Sequence, residues 1–293
     1  MKPFLSRITW LTGVILALAN ASGLVRPLQA AEPDVVNARP RIALLDPPKD
    51  DFFSKQLDYH GIPIQAHQEV VDEALYEAWN RLDMLLTNQP MVLSNLVAAG
   101  AGLQIIGRNQ VTSDLPEFHH LKGKPLPEYN GLTIDQRTRG MGGLVSSCGE
   151  ENLLRLPTDR YRGRDICIHE FAHGIFDRGI SSEVRRKFTD QCARSKEQGR
   201  WVGSYASNPN EFFSELTMWY WGTRGDLNMQ GPKPENGPEG LKKYDPEAYA
   251  LMDDFYSGRI PIPKLERHTR QRPSTVDKPD LATNSPSSVP KSP

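Results

Sequence analysis

Cysteine, net charge and long apolar runs are all scarce in this chain of 293 residues. Cysteine occurs three times, at Cys148, Cys167 and Cys192. One intramolecular disulfide is then the most that can form, three pairings are open, and one thiol is left over. So few cysteines exclude a densely stapled mini-scaffold, and none stands in a Cys/His nucleophile motif. Charge is balanced, with 35 Lys and Arg against 36 Asp and Glu. That balance gives no sign of the basic face of a nucleic-acid binder. Beyond residue 30 no apolar run approaches the roughly 20 residues that a membrane-spanning helix needs.

The first thirty residues differ from the rest. Lys2 and Arg7 precede an apolar stretch from Ile8 to Ala19, and Ala19-Asn-Ala21 and Leu28-Gln-Ala30 both suit a processing enzyme. This is the layout of a secretory signal peptide over 1–30. It predicts an exported chain, extracellular or periplasmic, with no stable membrane insertion after cleavage. Residues 31–40 read as a linker. Residues 41–114 read as an N-terminal α/β part, with strands at 41–46, stopped by Pro47-Pro48, at 62–66 and at 103–106. Helices are predicted over 70–86, where Val71, Ala74, Leu75, Ala78, Leu82 and Leu85 recur at helical spacing, and over 89–99, closed by Gly100. Residues 115–262 read as a second, α+β part packed against the first. Its loop-like start (112–142) leads to a strand at 143–147 and to helices near 163–178, 181–197, 209–221 and 246–256. The Pro/Ser-rich segment 263–293 reads as a disordered tail. The fold class expected is α+β.

The chemistry is concentrated in Asp165-Ile-Cys-Ile-His-Glu-Phe-Ala-His-Gly174. His169 and His173 are four residues apart, so on a helix they share one face, about 40° apart around the axis. Two imidazoles so placed hold one small cation from one side, and Glu170 lies beside it as a base for a water. Ile166, Ile168, Ala172, Ile175 and Phe176 make most of this helix apolar, so two histidines and a glutamate in it require a partner. A catalytic zinc needs a third protein ligand and one open position. Phe176 and Gly179 stand where the metzincin pattern has Gly and His, and His268 falls in the tail, so an acid is required. Asn208-Pro209-Asn-Glu-Phe-Phe-Ser-Glu215 supplies two. Asn208 caps a helix, Pro209 opens it, and Glu211 and Glu215 follow on one face. Asp226, in Gly222-Thr-Arg-Gly-Asp226, echoes the ligand segment of aspzincin peptidases and is the weaker rival.

Together His-Glu-Phe-Ala-His, Tyr205 and Glu211-Phe-Phe-Ser-Glu215 resemble the gluzincin zincin metallopeptidases, the catalytic domain of anthrax lethal factor among them. The resemblance covers only about residues 163–221. It implies a zincin-like catalytic domain, one catalytic zinc ion held by His169, His173 and Glu211, and peptide-bond hydrolysis with Glu170 as general base. It further implies that Tyr205 faces the substrate oxyanion and that Glu215 supports a ligating imidazole. The expected partner is a peptide or protein substrate, with no nucleic acid. A zinc-stabilised secreted binding module without catalysis is the alternative. Around this core, Asp177 is a candidate to support the site. Glu150 and Glu151 favour a helix start, and Arg155, Arg160, Arg162 and Arg164 form a solvated basic face. The run Arg137-Thr-Arg-Gly-Met-Gly-Gly143 leads into an edge strand, and 143–147 is expected to be the edge on which substrate adds.

Overall fold

A computed structural model of the chain describes residues 39–225 and 234–266. The expected signal peptide, Asp226, His268 and most of the tail lie outside the described residues. The fold below is that of the compact unit that begins at Pro40.

The architecture is α+β. Strand β1 (Ala43–Lys49) pairs antiparallel with β2 (Phe53–Tyr59), and β2 with β3 (Ile62–Ala66). Helices α1 (Asp72–Leu86) and α2 (Pro90–Ala99) then carry the chain over to β4 (Gly102–Ile106), which runs parallel to β3, as a crossover connection requires. Short 3-10 turns and α3 (Ile134–Arg137) lead to β5 (Gly140–Met141), which pairs antiparallel with β6 (Val145–Gly149), itself parallel to β4. The sheet order is β1-β2-β3-β4-β6-β5. The ladder between β4 and β6 therefore crosses the expected boundary after residue 114. Helices α4 (Glu150–Leu153), α5 (Ile166–Gly174), α6 (Ser182–Glu197), α7 (Pro209–Tyr220), α8 (Pro238–Tyr244) and α9 (Pro246–Tyr256) complete it.

Local causes are plain in several elements. Helix α1 buries Ala74, Leu75, Ala78, Leu82 and Leu85, the face its spacing sets. Helix α2 ends at Gly100, whose φ of 85° suits a residue without a side chain. Helices α6, α7 and α9 meet through Phe188, Phe213 and Phe255, with ring centroids 4.8–5.7 Å apart.

Three expectations need correction. Strand β1 does not stop at Pro47-Pro48 but runs to Lys49; it lies at the sheet edge, where proline removes no ladder bond that is needed. The segment at 143–147 is not the edge. Its strand, β6, is flanked by β4 and β5, and the edge is Gly140–Met141, inside the glycine-rich run. Glu150 and Glu151 do more than favour a helix start, for both are buried. Glu150 accepts from Val71 N and Arg108, and Glu151 pairs with Arg139 at 2.6 Å.

A disulfide joins Cys148 of β6 to Cys167 of α5, and Cys192 is buried and free. The helix that carries the two histidines is thereby fastened to the strand beside the edge.

Candidate active site

Helix α5 begins where Asp165 accepts a hydrogen bond from Ile168 N at 3.1 Å. Asp165 is itself held by Arg81 Nε at 2.7 Å and Arg155 at 2.8 Å, so the cap is tied to α1. Asn152 Oδ1 accepts from Ile166 N at 2.8 Å. The first turn is thus fixed from three directions, one turn ahead of His169. Helix α7 begins as its residues prescribe. Asn208 Oδ1 accepts from both Asn210 N and Glu211 N at 3.0 Å, and Pro209 takes the first helical position. Such a cap typically contributes about 1 kcal/mol, and here it also fixes where Glu211 points.

The two helices bring three donors together. His169 Nε2 and His173 Nε2 lie 3.2 Å apart. Glu211 places one carboxylate oxygen 3.4 Å from His169 Nε2 and the other 3.8 Å from His173 Nε2. Ligands at 2.0–2.2 Å around a tetrahedral zinc stand about 3.3–3.5 Å from one another, so this donor set fits the ion. At 3.2 Å the two imidazole nitrogens can share a proton as a hydrogen bond or hold a cation between them. His169, Glu170 and His173 likewise hold one donor atom each within 4.8 Å of one another. Both acids thus lie at the imidazole pair, Glu211 at 3.4 and 3.8 Å from the two Nε2 atoms and Glu170 within 4.8 Å of them.

Electrostatics accord with that division. Burial pushes the Glu170 carboxyl above its ordinary range, although both imidazoles pull it back. Burial also opposes charge on Glu211, yet the hydrogen bond to His169 and the imidazole charges hold it below the ordinary range. Burial likewise opposes charge on His169, but Glu211, Glu170 and Glu215 overcome it and raise its pKa. The cluster is built to hold positive charge.

Glycines let the edge approach this cluster. A side chain at Gly142 would meet the His173 ring at 2.6 Å and the Glu170 carboxylate at 2.9 Å, and one at Gly140 would meet Ile166 at 2.6 Å. The run at 137–143 therefore sets β5 against the open side of α5. His173 Nδ1 is 2.8 Å from Asn210 Oδ1, and Asn210 donates to Asp177 at 3.0 Å. Asp177 thus supports the site at one remove. Asn210 carries no motif of its own beyond its place before Glu211.

Glu215 is placed on the same side of α7, 3.5 Å from His169 Nδ1. That nitrogen makes no hydrogen bond among the described residues. The Glu215 oxygens go instead to Arg164 and to Arg224 Nε at 2.6 Å. Although burial opposes its charge, the two guanidinium groups hold Glu215 well below the carboxylate range. This corrects the basic face: Arg164 is largely buried, because its partner lies 51 residues away in the chain. Arg224, also missed, is fully buried with Trp201 and Trp219 rings 5.1 and 4.8 Å from its guanidinium. Tyr205 is partly exposed, and its ring lies 4.8 Å from Arg164. Removing Glu215 leaves two buried cations without their carboxylate. We therefore expect Glu215→Ala to lose about 3–5 kcal/mol of stability, read from the denaturant midpoint. An unchanged midpoint would show that the cluster is not structural.

No helix among the described residues is long and apolar enough to cross a membrane. No family model and no curated protein matches the chain. Among solved structures, the chain is similar to the PRO-PRO endopeptidase (PPEP-2) from Paenibacillus alvei, at 19% identity and a TM-score of 0.48, over 66% of this chain and 97% of that one.

Proposed function

We propose that the chain is an exported zinc-dependent metallopeptidase of the gluzincin type that hydrolyses peptide bonds. The observation that carries this reading is the convergence of His169, His173 and Glu211 from two helices at separations of 3.2–3.8 Å, with Glu170 beside them. His169, His173 and Glu211 would hold the ion, which when bound supplies a Lewis acid for the scissile carbonyl and lowers the pKa of water.

The chain's own groups do the rest. Glu170 takes the proton of the attacking water and returns it to the leaving amine. Tyr205 offers its hydroxyl to the oxyanion. Strand β5 has one unpaired side, and a peptide adds there as a further strand, which carries the scissile bond past Gly142 toward Glu170. Export draws support from the Cys148–Cys167 disulfide, since such bonds persist in oxidising compartments. A non-catalytic zinc module is disfavoured by Glu170, because a structural zinc needs no base and closes its fourth position.

Chelation separates the two. Dialysis against a zinc chelator should abolish cleavage of a peptide library by the purified chain, and one equivalent of zinc should restore it. Cleavage that survives a verified loss of zinc overturns the reading. A zinc-replete chain that cleaves nothing and unfolds on chelation is the binding module.

A further inference from the structure

Three partly buried arginines of this fold hold carboxylates: Arg81 holds Asp165, Arg139 holds Glu151 and Arg164 holds Glu215. Arg137 is partly buried as well but makes no ion pair among the described residues. Its guanidinium lies instead over the Tyr129 ring, 5.8 Å from the centroid. Arg137 ends α3, three residues before Gly140, where a side chain would stand 3.2 Å from Glu170 Cγ. The stack therefore stands just ahead of β5, on the stretch of chain whose Gly140 approaches Glu170.

A second cation lies close by. Arg160 is exposed and donates to Gln136 O at 3.3 Å, next to Arg137 in the chain. Two nearby acids, Asp135 and Asp159, are committed elsewhere. Asp135 accepts from Ser113 N and Oγ at 2.8 Å, and Asp159 accepts from Tyr161 N and Asn152. Burying part of a guanidinium against a ring costs solvation, and a planar guanidinium oriented by a ring is preset for two-pronged contact with a carboxylate.

We propose that Arg137, oriented by Tyr129 and flanked by Arg160, is a specificity-determining residue that binds a carboxylate of the substrate peptide. This rests on the peptidase reading. If the peptide adds antiparallel to β5, its C-terminal side runs toward Arg137. The carboxylate then belongs to an acidic side chain beyond the scissile bond or to the peptide terminus.

The test is binding to the full-length, zinc-loaded Glu170→Gln chain, which does not depend on turnover. The probes are fluorescein-labelled decapeptide mixtures with Glu or Gln at one fixed position, each made as free acid and as C-terminal amide, and the readout is anisotropy. The Glu mixtures, or the free acids, should bind at least about tenfold tighter than their neutral partners. The Glu-against-Gln contrast identifies a side-chain site and the acid-against-amide contrast a terminal one. In Arg137→Ala on the same background the ratio should fall toward one. Arg137→Lys should keep part of it, and Arg137→Glu should invert it toward Lys-containing peptides; these two also guard against misfolding of a single variant. Equal binding of acidic and neutral mixtures, no binding of either, or a preference that survives Arg137→Ala overturns the subsite. Selective binding by a wild type that cleaves none of these peptides overturns only the peptidase reading.

Discussion

Glu170→Gln is expected to keep zinc at the wild-type level and to lose peptide hydrolysis by about 10²–10⁴-fold, the usual worth of a placed acid–base group. The argument is one of placement. His169 and His173 lie with their Nε2 atoms 3.2 Å apart and Glu211 approaches both from α7, so on the proposed reading an ion would have its protein ligands without Glu170. Glu170 is kept next to that position by the edge strand, whose glycines leave room for its carboxylate. Glutamine has the same shape and cannot take a proton. Metal analysis with single-turnover kinetics on one peptide that the wild type cleaves checks both halves. Full activity in the variant, or loss of zinc from it, would move the base elsewhere or make Glu170 a ligand.

Glu211→Ala carries the second large effect. It removes the only donor that α7 sends between the imidazoles, and the ion would be left with two protein ligands from one helix. Loss of a partner that merely supports a ligand costs roughly 10–100-fold in affinity or activity, so loss of the ligand itself should exceed that and leave the purified chain free of zinc. Asp226→Ala is the contrast and should retain the metal. Zinc kept in Glu211→Ala and lost in Asp226→Ala would place the chain with the aspzincin peptidases. Because Glu211 also sits in the capped first turn of α7, the variant's helix content should be compared by circular dichroism, and Glu211→Gln should bind weakly rather than not at all.

The sequence made much of this site legible because its signals are local. The four-residue step from His169 to His173, the Asn208-Pro209 start and the one-turn step from Glu211 to Glu215 each fix a geometry within a single helix, and α5 and α7 realise them. What stayed hidden depends on distance. Arg164 reads as a surface cation and Arg224 carries no signal until the fold brings both to Glu215, and nothing near either residue in the chain announces that partner. Strand β2 was missed because its buried Phe53, Leu57 and Tyr59 are interleaved with Ser54, Lys55, Gln56 and Asp58, a polar stretch to the eye. Helix α8 was missed because Pro238, Gly240 and two lysines mask a turn that buries little beyond Leu241. The two-residue β5 has no period to detect, so the edge was assigned to the longer β6 beside it.

The bond between Cys148 and Cys167 has a meaning for the cell that makes this chain. Cys167 lies two residues before His169, and the loop it closes spans 19 positions, for which chain-entropy arguments give about 3 kcal/mol. A hydrolase that attacks proteins endangers its own producer. In a reducing interior the helix with both imidazoles lacks that tether, and the newly made chain is loosest there. On the exported-peptidase reading proposed above, oxidation on the far side of the membrane would act as a safety catch, with competence gained only where the producer's own proteins are out of reach.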